Sequence, residues 1–256
     1  MNSFDLSGRV AVVIGGTSGI GLALSQGLAA AGADVVPVSR RAEMVERAAA
    51  AIESLGRKSL RLTADTLDRR SLEQTLTATL AAFGHVDILV NCAGITRRTP
   101  SLAVTDEEWD AIIATNLTGT FRACQIFGRA MLGRGYGRII NIASLASFVG
   151  LHEVAAYTAS KSGVAGLTRA LAVEWGSQGV NVNAIAPGVF RTALNATLLD
   201  ESGRGQEFLL RTPLKRFGDV AELAPACVFL ASEAARFVNG EILTVDGGFL
   251  ASGVNQ

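Results

Sequence analysis

Tyr157 and Lys161 stand four residues apart in a segment, Ala155 to Trp175, whose composition predicts a helix, so their side chains share one helical face. A phenol with an ordinary pKa of about 10 is a poor proton carrier at neutral pH, and a neighbouring ammonium favours its ionised form. The pair therefore suits general acid/base chemistry with Tyr157 moving the proton. Ser144 follows a predicted strand, Arg138 to Ile142, at the carboxyl edge where open α/β sheets hold ligands, and its hydroxyl could bond a substrate carbonyl. Each has a plainer reading alone, because Tyr and Lys at this spacing are common on helices and a Ser at a strand end usually makes a turn. Their conjunction is what points to chemistry.

A second group of residues suits a dinucleotide. Gly15-Gly16-Thr17-Ser18-Gly19-Ile20-Gly21 lies where an apolar strand, Val10 to Ile14, hands over to a predicted helix, Leu22 to Ala31. Glycine there lets backbone N–H groups approach a ligand, and the helix start adds unpaired donors with partial positive charge, which fits a pyrophosphate. A structural tight turn is the alternative. The loop has no Lys of the kind an NTP-hydrolysing loop needs. The second predicted strand ends in Ser39-Arg40-Arg41, where such folds meet the adenosine ribose. An Arg there accepts a 2′-phosphate, which predicts NADP(H) in preference to NAD(H); two solvated arginines opening a helix are the alternative.

The scaffold that must position these groups is legible as alternation. Strands at Val10–Ile14, Asp34–Ser39, Lys58–Thr63 and Val86–Asn91 alternate with helices at Ala42–Leu55 and Arg69–Phe83. A helix over Glu107–Leu132, strands at Arg138–Ile142 and Asn181–Ala186, a helix at Asp219–Ser232 and a strand at Glu241–Val245 follow. Such βαβ repetition predicts an α/β fold with a doubly wound parallel sheet of about seven strands, a Rossmann fold. Near-continuous apolar runs such as Ile88-Leu89-Val90 are expected when helices cover both faces. We read residues 1–256 as one dinucleotide-binding domain, with the irregular stretch 189–215 as a lid over the sheet edge.

Composition narrows the partners. The chain has 256 residues, 49% of them apolar, with 23 Lys+Arg against 23 Asp+Glu. That excludes disorder and provides no overall field for nucleic acid or an anionic membrane surface, leaving small molecules. Cys92, Cys124 and Cys227 are far apart, with no zinc spacing and no metal site, and read as reduced buried thiols. Neither a signal segment nor an apolar run of membrane length is present, so the expected location is the cytoplasm.

Taken together, Gly15-x-x-x-Gly19-Ile20-Gly21, Asn91-Cys92-Ala93-Gly94, Asn116, Ser144, Tyr157-x-x-x-Lys161, Pro187-Gly188 and Val245-Asp246-Gly247-Gly248 resemble the short-chain dehydrogenase/reductase family over essentially the whole chain. The resemblance implies an NAD(P)-dependent oxidoreductase interconverting a secondary alcohol and a ketone. It makes Tyr157 the general acid/base, and Ser144 the group that orients the carbonyl. Lys161 would lower the Tyr pKa and hold the nicotinamide ribose, and Asn116 would support a proton-relaying water. It further implies that Asp65 contacts adenine, that Asn91, Ala93 and Gly94 line the adenosine side, and that Pro187 to Thr192, including Gly188 and Val189, wrap the nicotinamide. A homotetramer is implied as well, built on the helices near 107–132 and 155–175 and on the last strand. Two positions depart from the family: Ile14 stands where Thr is usual and Cys92 where a second Asn is usual, which predicts altered bonding between the first strands. A Cys92 facing the cofactor would also make the enzyme thiol-sensitive.

Asn91 to Arg98, followed by Arg211 to Gly218, is most similar to the gluconate 5-dehydrogenase and deoxygluconate dehydrogenase branch. Arg97, Arg98 and Arg211 could grip a substrate carboxylate bidentately, which suits a sugar acid; pairing with surface acids such as Asp106 and Glu107 is the alternative. His152, beside the pocket-forming segment, is a further candidate substrate contact. The rival readings are a 3-oxoacyl-carrier-protein reductase and a non-catalytic nicotinamide-binding sensor. Against the first, Arg169 is the only Lys or Arg between Ser162 and Val189, little positive surface for an acidic carrier. Against the second, a pure binder has no need of a proton carrier.

Overall fold

The computed structural model describes residues 3–192, 196, 199 and 203–253. Its strands are β1 (Val10–Ile14), β2 (Asp34–Val38), β3 (Ile88–Asn91), β4 (Gly137–Ile142), β5 (Val180–Pro187) and β6 (Ile242–Val245). Its α-helices are α1 (Gly19–Ala30), α2 (Ala42–Ser54), α3 (Arg69–Phe83), α4 (Asp106–Ile113), α5 (Gly119–Arg134), α6 (Ala155–Trp175), α7 (Gly203–Arg211) and α8 (Ala224–Ala231). The strands make one parallel sheet in the order β2-β1-β3-β4-β5-β6.

Strand periodicity divides the core in two. Ala11, Val13, Ile88 and Val90 face one side and pack with Leu24 and Leu28 of α1 and with Cys227 and Leu230 of α8. Val12, Ile14, Leu89 and Ile139 face the other and meet Leu72 of α3, Phe127 and Met131 of α5, and Leu171 and Trp175 of α6. Each such fully buried side chain stabilises the fold by about 1.5–3 kcal/mol, which is why both faces must be apolar. The chain leaves β1 for β2 and then returns to β3 on the other side of β1. Crossovers therefore diverge at the carboxyl ends of β1 and β3, opening a crevice there.

Three expected elements differ. Six strands form among the described residues, not seven: 58–63 runs beside β2 with a single bridge, Ser39 to Thr63. The Ser59 hydroxyl, in place of a ladder N–H, takes the Val35 carbonyl at 2.7 Å, and this edge segment alternates with exposed Lys58, Arg61 and Thr63. The helix expected over 107–132 is broken by a π turn, Ala114–Thr118, that separates α4 from α5. The last helix begins with a 3-10 turn, Val220–Leu223, closed by a capping box of Asp219 and Glu222. Of the expected lid, 189–192, 196, 199 and 203–215, with α7, are described; 193–195, 197, 198 and 200–202 lie outside the described residues.

Candidate active site

The turn after β1 is closed by backbone packing that only glycine allows. Gly15 has φ +82°, and a Cβ on it would lie 2.6 Å from the Ala93 nitrogen; a Cβ on Gly21 would lie 2.0 Å from the Gly15 carbonyl oxygen. Ser18 precedes α1 without capping it by its side chain, so the helix presents unpaired N–H groups to the crevice. Thr192 spans the crevice from the other side, its methyl 3.8 Å from where a Gly19 Cβ would stand. Ile20 packs against the core below, and Thr17 is buried within the turn.

At the end of β2 the Ser39 hydroxyl is buried and has no hydrogen-bond partner among the described residues. Arg40 pairs with Asp65 at 3.7 Å, and Arg41 is an exposed residue at the start of α2. An orphaned buried hydroxyl beside two arginines, a cradle that a Cβ would fill and an uncapped helix start together fit a phosphorylated dinucleotide. Asn91 is placed differently from a pocket-lining residue: its amide donates to Asn141 Oδ1 at 2.9 Å inside the sheet–helix interface. Ala93 and Gly94 follow it to the crevice, where a Gly94 Cβ would lie 3.6 Å from Lys161 Nζ. At the two unusual positions, Ile14 is buried in the core and Cys92 N donates to Ile14 O at 2.8 Å, so the β1–β3 link is a backbone bond.

The reacting groups come from three elements. Ser144 leaves β4 and starts a 3-10 turn by accepting from Ala146 N at 3.1 Å. Tyr157 and Lys161 lie on the first turns of α6, with Lys161 Nζ 5.7 Å from the phenol ring centroid. Lys161 Nζ donates to the Ile142 carbonyl at the end of β4, 2.6 Å away. Asn116 sits in the π turn, where its side chain accepts from Ile95 N at 2.8 Å and donates to Ile95 O at 2.9 Å and Ser160 Oγ at 3.0 Å. The extra residue of that turn is what points the amide at the loop after β3 and not at solvent. Ser160, which sequence reasoning passed over, ties Asn116 to α6 and also donates to Tyr157 O at 2.7 Å.

Electrostatics follow from burial. Burial raises the Tyr157 phenol above its ordinary 10, and a hydrogen bond from Ser144 partly offsets this. Burial pulls Lys161 from 10.5 down to about 8. Because the ammonium is fastened to Ile142 O, its charge is spent partly on that carbonyl.

The candidate substrate groups are all exposed. Arg97 is exposed and forms no ion pair among the described residues, while Arg98 Nε meets Glu153 Oε2 at 2.5 Å. His152 is exposed and lies 3.6 Å from the same carboxylate. Arg211 is paired along its own helix with Glu207 at 3.0 Å, so it is not aimed at the mouth by any contact beyond α7. At the far side Pro187 ends β5, and Gly188 packs so closely on Asp246 that a Cβ would stand 2.5 Å from its Cα; Val189 follows.

Residues 15–250 match a family model described as enoyl-(acyl carrier protein) reductase. The chain is 42% identical over 254 residues to the 2-dehydro-3-deoxy-D-gluconate 5-dehydrogenase of Escherichia coli K12, covering 98% of this chain and 99% of that one. It is 40% identical over 249 residues to the gluconate 5-dehydrogenase of Gluconobacter oxydans 621H, covering 97% of each. A crystal structure of a gluconate 5-dehydrogenase from Burkholderia cenocepacia J2315 in complex with NADP and tartrate superposes with a TM-score of 0.94 at 38% identity, covering 98% of this chain and 99% of that one. With full-length relatives at this identity and with Ser144, Tyr157, Lys161 and Asn116 gathered at one sheet edge, the chain belongs to the short-chain dehydrogenase/reductase family.

Proposed function

We propose that this single domain, as a cytoplasmic homotetramer, interconverts a secondary alcohol and a ketone of a sugar acid or related polyol, using NADP(H) in preference to NAD(H). The observation that carries this reading is the half-buried phenol of Tyr157 at the carboxyl edge of the sheet, with Lys161 Nζ 5.7 Å from its ring centroid. Bound along Gly15–Gly21 and Ser39–Arg41, the dinucleotide supplies the hydride chemistry. The protein's own work is placement and proton transfer. Ser144 donates to the substrate oxygen and fixes its distance from the Tyr157 hydroxyl, which gives up its proton in reduction and recovers it in oxidation. Lys161, anchored by Ile142 O, keeps positive charge beside the phenolate so formed. Asn116 holds the loop after β3 against α6 and so keeps Lys161 in place.

The Ser39 hydroxyl and the two arginines support the 2′-phosphate preference. The exposed Trp109, Phe121 and Val173 on α4, α5 and α6 support assembly through those helices. Tyr157→Phe tests the mechanism: turnover should fall by at least about a thousandfold, within the range expected for a lost general acid/base, while NADP(H) binding by fluorescence titration persists. Near wild-type turnover in that variant would sink the assignment. Exchanging Arg40 and Arg41 for Asp and Ala should shift the cofactor preference toward NAD(H), read as the ratio of kcat/KM values.

A further inference from the structure

Where α7 meets the body of the protein, a cluster of charge remains that the mechanism does not use. Arg204, half-buried in the first turn of α7, donates from Nη1 to the His152 carbonyl at 3.0 Å, and its guanidinium carbon lies 5.5 Å from the Phe208 ring centroid. The neighbouring Glu153 has φ +61°, a left-handed conformation that favours glycine and is unusual for a side-chain-bearing residue. It is fastened there by its carbonyl, which accepts from Thr99 N at 2.8 Å, and by its carboxylate, which meets Arg98 Nε at 2.5 Å. Glu153 stands four residues before Tyr157, and Arg98 four residues after Gly94, the backbone neighbour of Lys161 Nζ. Short stretches of chain thus join the cluster to Tyr157 and to the loop that touches Lys161.

Among the described residues its charges do not balance. Burial and then the Arg98 guanidinium hold Arg204 below its ordinary value. Among the described residues Glu153 and, on α7, Glu207 both favour the charged Arg204, and Glu207 also pairs with Arg211. The three guanidiniums of Arg98, Arg204 and Arg211 against the two carboxylates of Glu153 and Glu207, with exposed Arg97 adjacent to Arg98, make a place for a further anion.

We propose that Arg204, acting with Arg98, binds the carboxylate of a polyhydroxy acid substrate and so selects acids over neutral polyols, with Glu153 holding the two guanidiniums apart for it. This rests on the alcohol–ketone reading above and names the end of the substrate remote from the reacting carbon. It assigns to Arg204 the role that sequence spacing had suggested for Arg211.

The test compares gluconate with glucitol, which share a carbon skeleton and differ at the acid end, for the wild type, Arg204→Gln, Arg204→Lys and Glu153→Gln. If gluconate is not turned over, its inhibition constant against a neutral substrate serves instead. Arg204→Gln should lower the acid-to-neutral ratio of kcat/KM by about tenfold or more, chiefly through KM, as loss of a charge-assisted contact requires. Arg204→Lys, which keeps a donor for His152 O and the charge, should restore part of it, and Glu153→Gln should raise the ratio. Equal losses on both substrates in Arg204→Gln and Arg204→Lys would reduce Arg204 to a structural latch and overturn the proposal. So would an unchanged ratio in Arg204→Gln where Arg98→Gln collapses it, with the sugar-acid reading left standing. A wild type that oxidises glucitol and is neither a catalyst for nor inhibited by gluconate would overturn both.

Discussion

Lys161 is 6% exposed, and burial brings its ammonium from an ordinary 10.5 to about 8, so the fold holds a charge where water would hold it better. Lys161→Met keeps a linear side chain and removes the charge. The lost bond to Ile142 O and any packing change are independent of pH, so they cancel when the stability difference between the two proteins is followed across pH. What remains is the titration of one amine. The folded wild type binds fewer protons than its unfolded chain between about 8 and 10.5, so its stability rises with pH there, and the burial cost is fully present only below about 8. From pH 7 to pH 10 the wild type should gain roughly 2 to 3 kcal/mol on the variant. Urea unfolding of both proteins without cofactor, at intervals of one pH unit, measures this directly. A stability difference that stays constant from pH 7 to 10 would refute the account, because it would mean that the amine is as well solvated in the fold as in the unfolded chain. Retention of a costly buried ammonium is itself understandable, since function commonly keeps groups that stability would discard.

Two further outcomes follow from packing and burial. Gly27 of α1 faces α8 so closely that its Cβ would stand 2.4 Å from Ala224 Cβ; Gly27→Ala should therefore cost about 1–3 kcal/mol of stability, read as a lower urea midpoint. Iodoacetamide at pH 7.5 should leave activity intact, because burial pushes Cys92 up to about 11, Cys124 up to about 12 and Cys227 higher still, leaving little thiolate to react. Inactivation prevented by bound NADP(H) would instead place the Cys92 sulfur in the crevice.

Local features of the sequence were enough to read the sheet, the glycine turn and the Tyr157–Lys161 face. Each depends on short-range geometry: period-two apolar runs, a strand-to-helix turn that tolerates no Cβ, and a four-residue helical offset. What only tertiary structure decided depends on partners distant in the chain. The 58–63 segment is apolar enough for a strand, yet Ser59 takes a β2 carbonyl that a full ladder would have used. Asn116 reaches its partners because a π turn, invisible in periodicity, turns its amide onto Ile95 and Ser160. Lys161 shares a face with Tyr157 by sequence, but its charge is directed by Ile142 O, nineteen residues away. Arg204 and Arg211 look alike in sequence; only folding brings the first against His152 and leaves the second paired within its own helix, because side-chain partners are chosen by where elements dock and not by residue type.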